Sequence, residues 1–166
     1  MIRQAKLDDA ENLASLIQRV ESESAYMLYE AGEREFNPDR QQNMIDTLSK
    51  QNNSVVFVAE ESNQLIGYLI AVGGQARKNK HSAYIVIGII SEYHGKGIGT
   101  SMFGKLEHWA MNHGIHRLEL TVITENLPGI RLYEKMGFKK EGMKENSLYT
   151  NGRYVNEYYM SKLLEG

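Results

Sequence analysis

Tyr93-His94-Gly95-Lys96-Gly97-Ile98-Gly99-Thr100 stands between two stretches of opposite character. Before it runs Ala83-Tyr84-Ile85-Val86-Ile87-Gly88-Ile89-Ile90, an apolar, β-branched segment that reads as a buried strand. After it, Ile98, Met102, Leu106, Trp109 and Ala110 recur along one face of a helix. Three glycines therefore sit where a strand turns into a helix. Glycine lets the backbone come close to a ligand, and the free N–H groups of a helix start attract phosphate. A ligand carrying a pyrophosphate is the first expectation. On spacing alone, a turn that merely joins strand to helix is the alternative.

Working outward, Ile2 to Ala5 reads as a short first strand, and Asp8 as the cap of a helix carrying Leu13, Leu16, Ile17 and Val20. Ser22 to Phe36 is irregular and rich in glutamate and tyrosine. Asn37-Pro38 predicts a second helix start, with Met44, Ile45 and Leu48 on its inner face. Val55–Ala59 and Leu65–Val72 flank the polar run Glu61-Ser62-Asn63-Gln64 and predict an antiparallel hairpin. Gly114 suits the end of the helix that follows the glycines. A strand within Ile115–Ile123 comes next, then a short helix capped by Asn126 and closed by Gly137. Phe138–Met143 and Tyr154–Leu163 predict two last strands around Thr150-Asn151-Gly152-Arg153, with Gly88 a candidate bulge in the fourth strand. The expectation is one α/β domain over residues 1–166. It has about seven strands in a mostly antiparallel sheet, about four helices, and a central strand–helix–strand crossover.

Composition narrows the function classes. The formal net charge is −2, which makes nucleic acid a poor default partner, because its binding leans on a basic surface. No apolar stretch is long enough to span a bilayer, so no membrane partner is expected. The chain has no cysteine, which removes disulfide and thiolate chemistry and suits the cytoplasm. The histidines, His81, His108, His113 and His116 among them, form no spacing typical of a metal site, and no metal is expected.

Two phosphate motifs can be tested directly. A dinucleotide fingerprint needs G-x-G-x-x-G; the sixth residue is Thr100 counting from Gly95 and Met102 counting from Gly97, so both frames fail. A P-loop needs lysine followed by serine or threonine after its last glycine, whereas Lys96 is followed by Gly97.

The run His94-Gly95-Lys96-Gly97-Ile98-Gly99 is similar to the Arg/Gln-x-x-Gly-x-Gly/Ala segment of the GNAT superfamily of acetyl-CoA-dependent N-acetyltransferases. Asn126 and Leu132-Tyr133-Glu134-Lys135-Met136-Gly137-Phe138 resemble a second family block, in the right order and spacing. One departure stands out: His94 occupies a position that is usually arginine or glutamine.

The resemblance implies transfer of an acetyl group from acetyl-CoA to a small-molecule or peptide amine, and it makes a homodimer an expectation. The cofactor would be held by His94, Gly95, Lys96, Gly97, Ile98, Gly99 and Thr100. Ile89 and Ile90 would lie along its arm, and Asn126 would bridge to it. Tyr133 would give a proton to the departing sulfur. A base for the amine is not identified by the residues; Glu119 and Glu92 are the candidates, each also readable as an ordinary surface carboxylate. Glu30 and Glu33, within an acidic stretch, and Tyr154, in a late tyrosine cluster, are candidates for the acceptor wall. The competing reading is a non-catalytic acetyl-CoA-binding sensor or scaffold.

Overall fold

The structure, a computed structural model, describes residues 1–165. The apolar runs and helical stripes become β1 (Ile2–Gln4), α1 (Ala10–Glu23), α2 (Pro38–Ser49), β2 (Val55–Glu61), β3 (Gln64–Gly73) and β4 (Ser82–Ile89). They continue as α3 (Ile98–Met111), β5 (Arg117–Ile123), α4 (Leu127–Lys135), β6 (Lys139–Thr150) and β7 (Arg153–Leu163). The strands form one seven-stranded sheet in the order β1-β2-β3-β4-β5-β7-β6. Only β4 and β5 run parallel; every other neighbouring pair is antiparallel. The expected order of elements and the central crossover through α3 are therefore present.

Side-chain periodicity fixes the layers. Leu13, Leu16, Ile17 and Val20 of α1 are all buried, each removal from water contributing about 1.5–3 kcal/mol. Met102, Phe103, Leu106 and Ala110 of α3 are wholly enclosed. Gly67 and Ile89, register partners, turn toward Met102 of α3, whereas Tyr68 and Gly88, the next pair, turn to the opposite face. Tyr68 there lies close enough to Glu21 of α1 to feel its charge. Thus the side chains of Ala83, Ile85, Ile87 and Ile89 face α3, and those of Tyr84, Val86 and Gly88 face the α1 side.

Three local expectations change. Gly88 is not a bulge, because β3 and β4 pair in unbroken register from Gly67↔Ile89 to Gly73↔Ala83. It is glycine because the Tyr68 ring lies across it; a Cβ there would meet ring carbons at 2.6–2.7 Å. Asp8 does not cap α1. Asp9 does the anchoring: its carboxylate accepts the Lys6 N–H at 2.6 Å and holds both terminal nitrogens of Arg3, at 2.8 and 2.9 Å. Finally, β6 runs on to Thr150, well past Met143. Its outer half breaks register between Lys144 and Leu148, with Asn146 at φ +50° and its N–H bonded to Asn156 Oδ1. An edge strand that is mostly exposed carries little of the alternation from which strands are read.

Candidate active site

The centre of the sheet opens. β4 and β5 pair only at Ser82↔Arg117, Ala83↔Leu118 and Tyr84↔Glu119. Beyond Tyr84, β4 continues to Ile89 and β5 to Ile123 without pairing to each other. On its other side β4 is fully committed to β3: Gly74 N–H donates to Ser82 O and Ile90 N–H to Ile66 O, at 2.9 and 3.0 Å. Backbone direction alternates along a strand, so the N–H and C=O of Ile87 and Ile89 point into the gap. Ile90 does not share in this edge. Its N–H is spent on Ile66, and its side chain is fully buried.

The glycine loop lies at the mouth of this gap. A 3-10 turn at Ser91–Tyr93 leads into it, and α3 starts immediately after Gly97. Gly97 caps α3 with φ +81°, a left-handed conformation that a side chain would strain, and Gly95 stands at +73°. No side chain caps this helix start. The N–H groups of Gly97, Ile98, Gly99 and Thr100 have no hydrogen-bond acceptor among the described residues, the first intrahelical bond being Ser101 N–H to Gly97 O at 3.0 Å. Four adjacent donors at the positive end of a fourteen-residue helix form an anion cradle. The loop itself is exposed, with the Lys96 ammonium 5.0 Å from the Tyr93 ring centre. His94 turns back on the strand: its Nε2 donates to Ile89 O at 2.7 Å.

Beside the cradle lies α4. Asn126 is its N-cap, accepting the Gly129 N–H on Oδ1 at 3.0 Å. Leu132 packs onto Gly99, where a Cβ would stand 2.8 Å from its methyl group, so α4 lies against the first turn of α3. The next residue, Tyr133, is half-buried, with its ring edge-on to Phe103 at 5.9 Å. Burial pushes its phenol up to about 12, and the neighbouring Tyr84 phenol adds to the shift. The group keeps its proton at physiological pH.

The two candidate bases are each paired with an arginine. Glu92 accepts from Arg19 at 2.8 Å on an open part of the surface. Glu119 accepts from Arg117 at 3.0 Å, and Arg117 also grips Glu141 at 2.6 Å. Of the acceptor-wall candidates, Glu30 and Glu33 come together, and Tyr154 stands apart from them on the β6–β7 hairpin. Thr150 at the tip of the β6–β7 hairpin donates to Glu30 at 3.1 Å, and Glu33 accepts the Glu30 N–H at 3.1 Å. Tyr154 stacks edge-to-face on Tyr149, 5.0 Å between ring centres. The segment after α1 is thereby tied to the hairpin across one end of the sheet. Its acidity is partly spent: Glu21 pairs with Arg34, and Glu23 pairs with Arg19 and takes the Ser91 N–H.

Two residues of the gap escape a reading of the sequence, Tyr84 and Thr121. Their hydroxyls share a hydrogen bond of 2.8 Å, Tyr84 standing on the last paired rung of β4 and β5 and Thr121 two residues beyond its register partner Glu119. The only trace in the sequence is a tyrosine inside an otherwise aliphatic strand. Among the described residues, no group of three or more His, Asp or Glu side chains is arranged to hold a metal ion. None of the helices described is long and apolar enough to cross a membrane.

Comparison with known proteins points to one family. The profile of the Acetyltransferase (GNAT) family matches residues 21–138. The chain is 44% identical over 50 residues to YobR, an uncharacterized N-acetyltransferase of Bacillus subtilis (strain 168), a match spanning 30% of this chain and 20% of that protein. It is 29% identical over 111 residues to the L-amino acid N-acetyltransferase AaaT of Escherichia coli (strain K12), spanning 64% of this chain and 67% of that one. The crystal structure of a GNAT-family acetyltransferase from Streptococcus pneumoniae superposes with a TM-score of 0.95 at 25% identity, over 99% of both chains.

Proposed function

The chain belongs to the GNAT acetyltransferase family, and from that premise we propose that it transfers the acetyl group of acetyl-CoA to a primary amine, by direct attack within a ternary complex. The observation that carries this reading is the row of unpartnered N–H groups from Gly97 to Thr100 at the mouth of the gap between β4 and β5. A diphosphate needs such donors, and an extended amide-bearing arm needs a free strand edge. Both needs are met side by side, and Ile87 and Ile89 would hydrogen-bond the arm.

Bound acetyl-CoA would supply the activated thioester. Tyr133, whose phenol is protonated up to about pH 12, is the proton donor for the leaving sulfur. Asn126 keeps α4, and with it Tyr133, in place. The amine must attack as the free base, which for a lysine-like amine costs about 4.6 kcal/mol at pH 7. With Glu92 and Glu119 both engaged by arginines, the proton would leave to solvent.

For the acceptor, the likeness to an L-amino acid N-acetyltransferase favours a small α-amine, with Glu30 and Glu33 at its outer boundary. The proposal covers one catalytic domain over residues 1–166 acting in the cytoplasm, a compartment that suits a chain without cysteine. Isothermal titration tests its core. Acetyl-CoA should bind with a micromolar dissociation constant, and CoA release should rise when an amine panel is added. Absence of both heat and thermal shift with acetyl-CoA would remove the reading.

A further inference from the structure

The end of the sheet opposite the cradle carries a charge of its own. Three segments meet there: the lead into β2, the connection from β3 to β4, and the connection from α3 to β5. Asn53, only 8% exposed, donates from Nδ2 to Gly74 O at 2.8 Å and to Lys80 O at 3.1 Å. His116 N–H donates to His81 O at 2.8 Å. The β3–β4 connection is also closed on itself. Gly74 N–H reaches Ser82 O at 2.9 Å, Ala76 N–H reaches Asn79 Oδ1 at 2.9 Å, and Ser82 N–H reaches Asn79 O at 3.0 Å. A Cβ on Gly74 would stand 2.3 Å from Asn79 O, so the turn is packed shut.

This built turn displays cations. Arg77, Lys78 and Lys80 are exposed, and none has an ion-pair partner among the described residues. His81 and His116 stand beside them, exposed, with ring centres 6.3 Å apart. No aspartate or glutamate occurs between Asp46 and Glu60, between Glu61 and Glu92, or between Glu107 and Glu119, so the three segments supply no counter-charge. Glu165 is brought to the rim by Leu164, whose N–H donates to His116 O. Like charges crowded on one turn repel, whereas a surface without a partner gains by mixing signs. A backbone already fixed loses little freedom when an anion binds.

We propose that this turn is a docking surface for a short acidic segment of a partner protein, a run of aspartate and glutamate. The inference goes beyond acetyl transfer and does not rest on it. The whole of β4 separates the turn from the cradle, about 25 Å at the rise of a strand. A short carboxylate run fits better than nucleic acid. A phosphate backbone gains affinity from many cations along its path, and here three are offered by a protein of net charge −2. Nor does the turn carry a tyrosine, phenylalanine or tryptophan to stack a base.

The probe is a fluorescent octapeptide of alternating aspartate and glutamate, blocked at both ends and read by anisotropy. Its neutral counterpart of asparagine and glutamine, and a uridine nonamer of equal charge, are run beside it. Arg77→Gln/Lys78→Gln/Lys80→Gln removes three charges from the turn. Lys6→Gln/Lys105→Gln/Lys139→Gln removes three exposed charges elsewhere and is the control. The wild type should bind the acidic peptide, about 10-fold more tightly than the turn variant and within about 2-fold of the control. Its affinity should fall as NaCl is raised from about 25 to 200 mM. A wild type that ignores the acidic peptide overturns the docking surface, as does equal binding of the neutral one or affinity indifferent to salt. Equal losses in the two triple variants overturn it by reducing the effect to net charge. A uridine nonamer bound more tightly than the peptide overturns it in favour of nucleic acid.

Discussion

His94 Nε2 lies 2.7 Å from the main-chain oxygen of Ile89, so one imidazole joins the glycine loop to the last residue of β4. A carbonyl only accepts, which fixes the proton on Nε2. The bond takes one acceptor off the free strand edge and holds the loop against the strand end. Arginine and glutamine, the usual residues of this motif, are also donors. His94→Ala should therefore weaken acetyl-CoA binding about 5- to 10-fold with little change in Tm, and His94→Gln should restore it within about 2-fold. Equal losses in the two variants, read by titration, would show that the imidazole meets the phosphates directly.

Tyr133 offers a sharper separation of binding from chemistry. Its phenol is raised to about 12, so between pH 6 and 9 it is fully protonated and contributes no inflection to a rate profile. Tyr133→Phe should lower kcat by about 100-fold, the lower end of what a positioned acid contributes, and leave the acetyl-CoA dissociation constant within about 2-fold. Wild type and variant should trace profiles of the same shape over that range. An unchanged kcat ends the acid role.

The fold was legible because its signals are local. A cap such as Asn37, whose side chain accepts the Arg40 N–H, and a four-residue stripe such as Leu13, Leu16, Ile17 and Val20 need no knowledge of distant chain. The cradle was legible for the same reason, being built from consecutive residues. What stayed hidden depends on pairing across the sheet. Gly88 serves Tyr68, 20 residues earlier in the chain, and the Tyr84–Thr121 bond joins two strands through a gap that only three-dimensional register reveals. The ion pairs that hold Glu92 and Glu119 are likewise set by neighbouring strands and helices. A carboxylate in sequence does not say whether an arginine has already claimed it.

Gly97 tests the cradle without touching the core. Its φ of +81° would strain any side chain, yet a Cβ there has no atom within 4 Å, so the fold can accept it. Gly97→Ala should cost roughly 1–2 kcal/mol of stability, about 2–8 °C in Tm. The added methyl stands where a phosphate would approach the backbone, and acetyl-CoA affinity should fall more than about 10-fold. Retained affinity in a folded variant would argue that the amides are not the phosphate ligands.

Arg117 makes stability depend on acid in a defined window. Its guanidinium grips Glu141 through two nitrogens, at 2.6 and 3.0 Å, and this hydrogen bonding pulls the Glu141 carboxyl from 4.5 down to about 2. A carboxyl lowered in the folded state adds stability above its unfolded value and loses it as the pH falls through the folded value. The contribution of Glu141 is thus whole above about pH 5 and gone near pH 2. Glu141→Gln should melt below wild type at pH 7, and the difference should shrink steadily between pH 4.5 and 2. Because the pair is partly open to solvent, 1 M NaCl should also narrow the difference at pH 7. Thermal melts of the two proteins at pH 7, 4 and 2.5 decide it: a difference that stays constant with pH would assign the loss to packing of β6 on β7, since only the charged pair can be dissolved by protons.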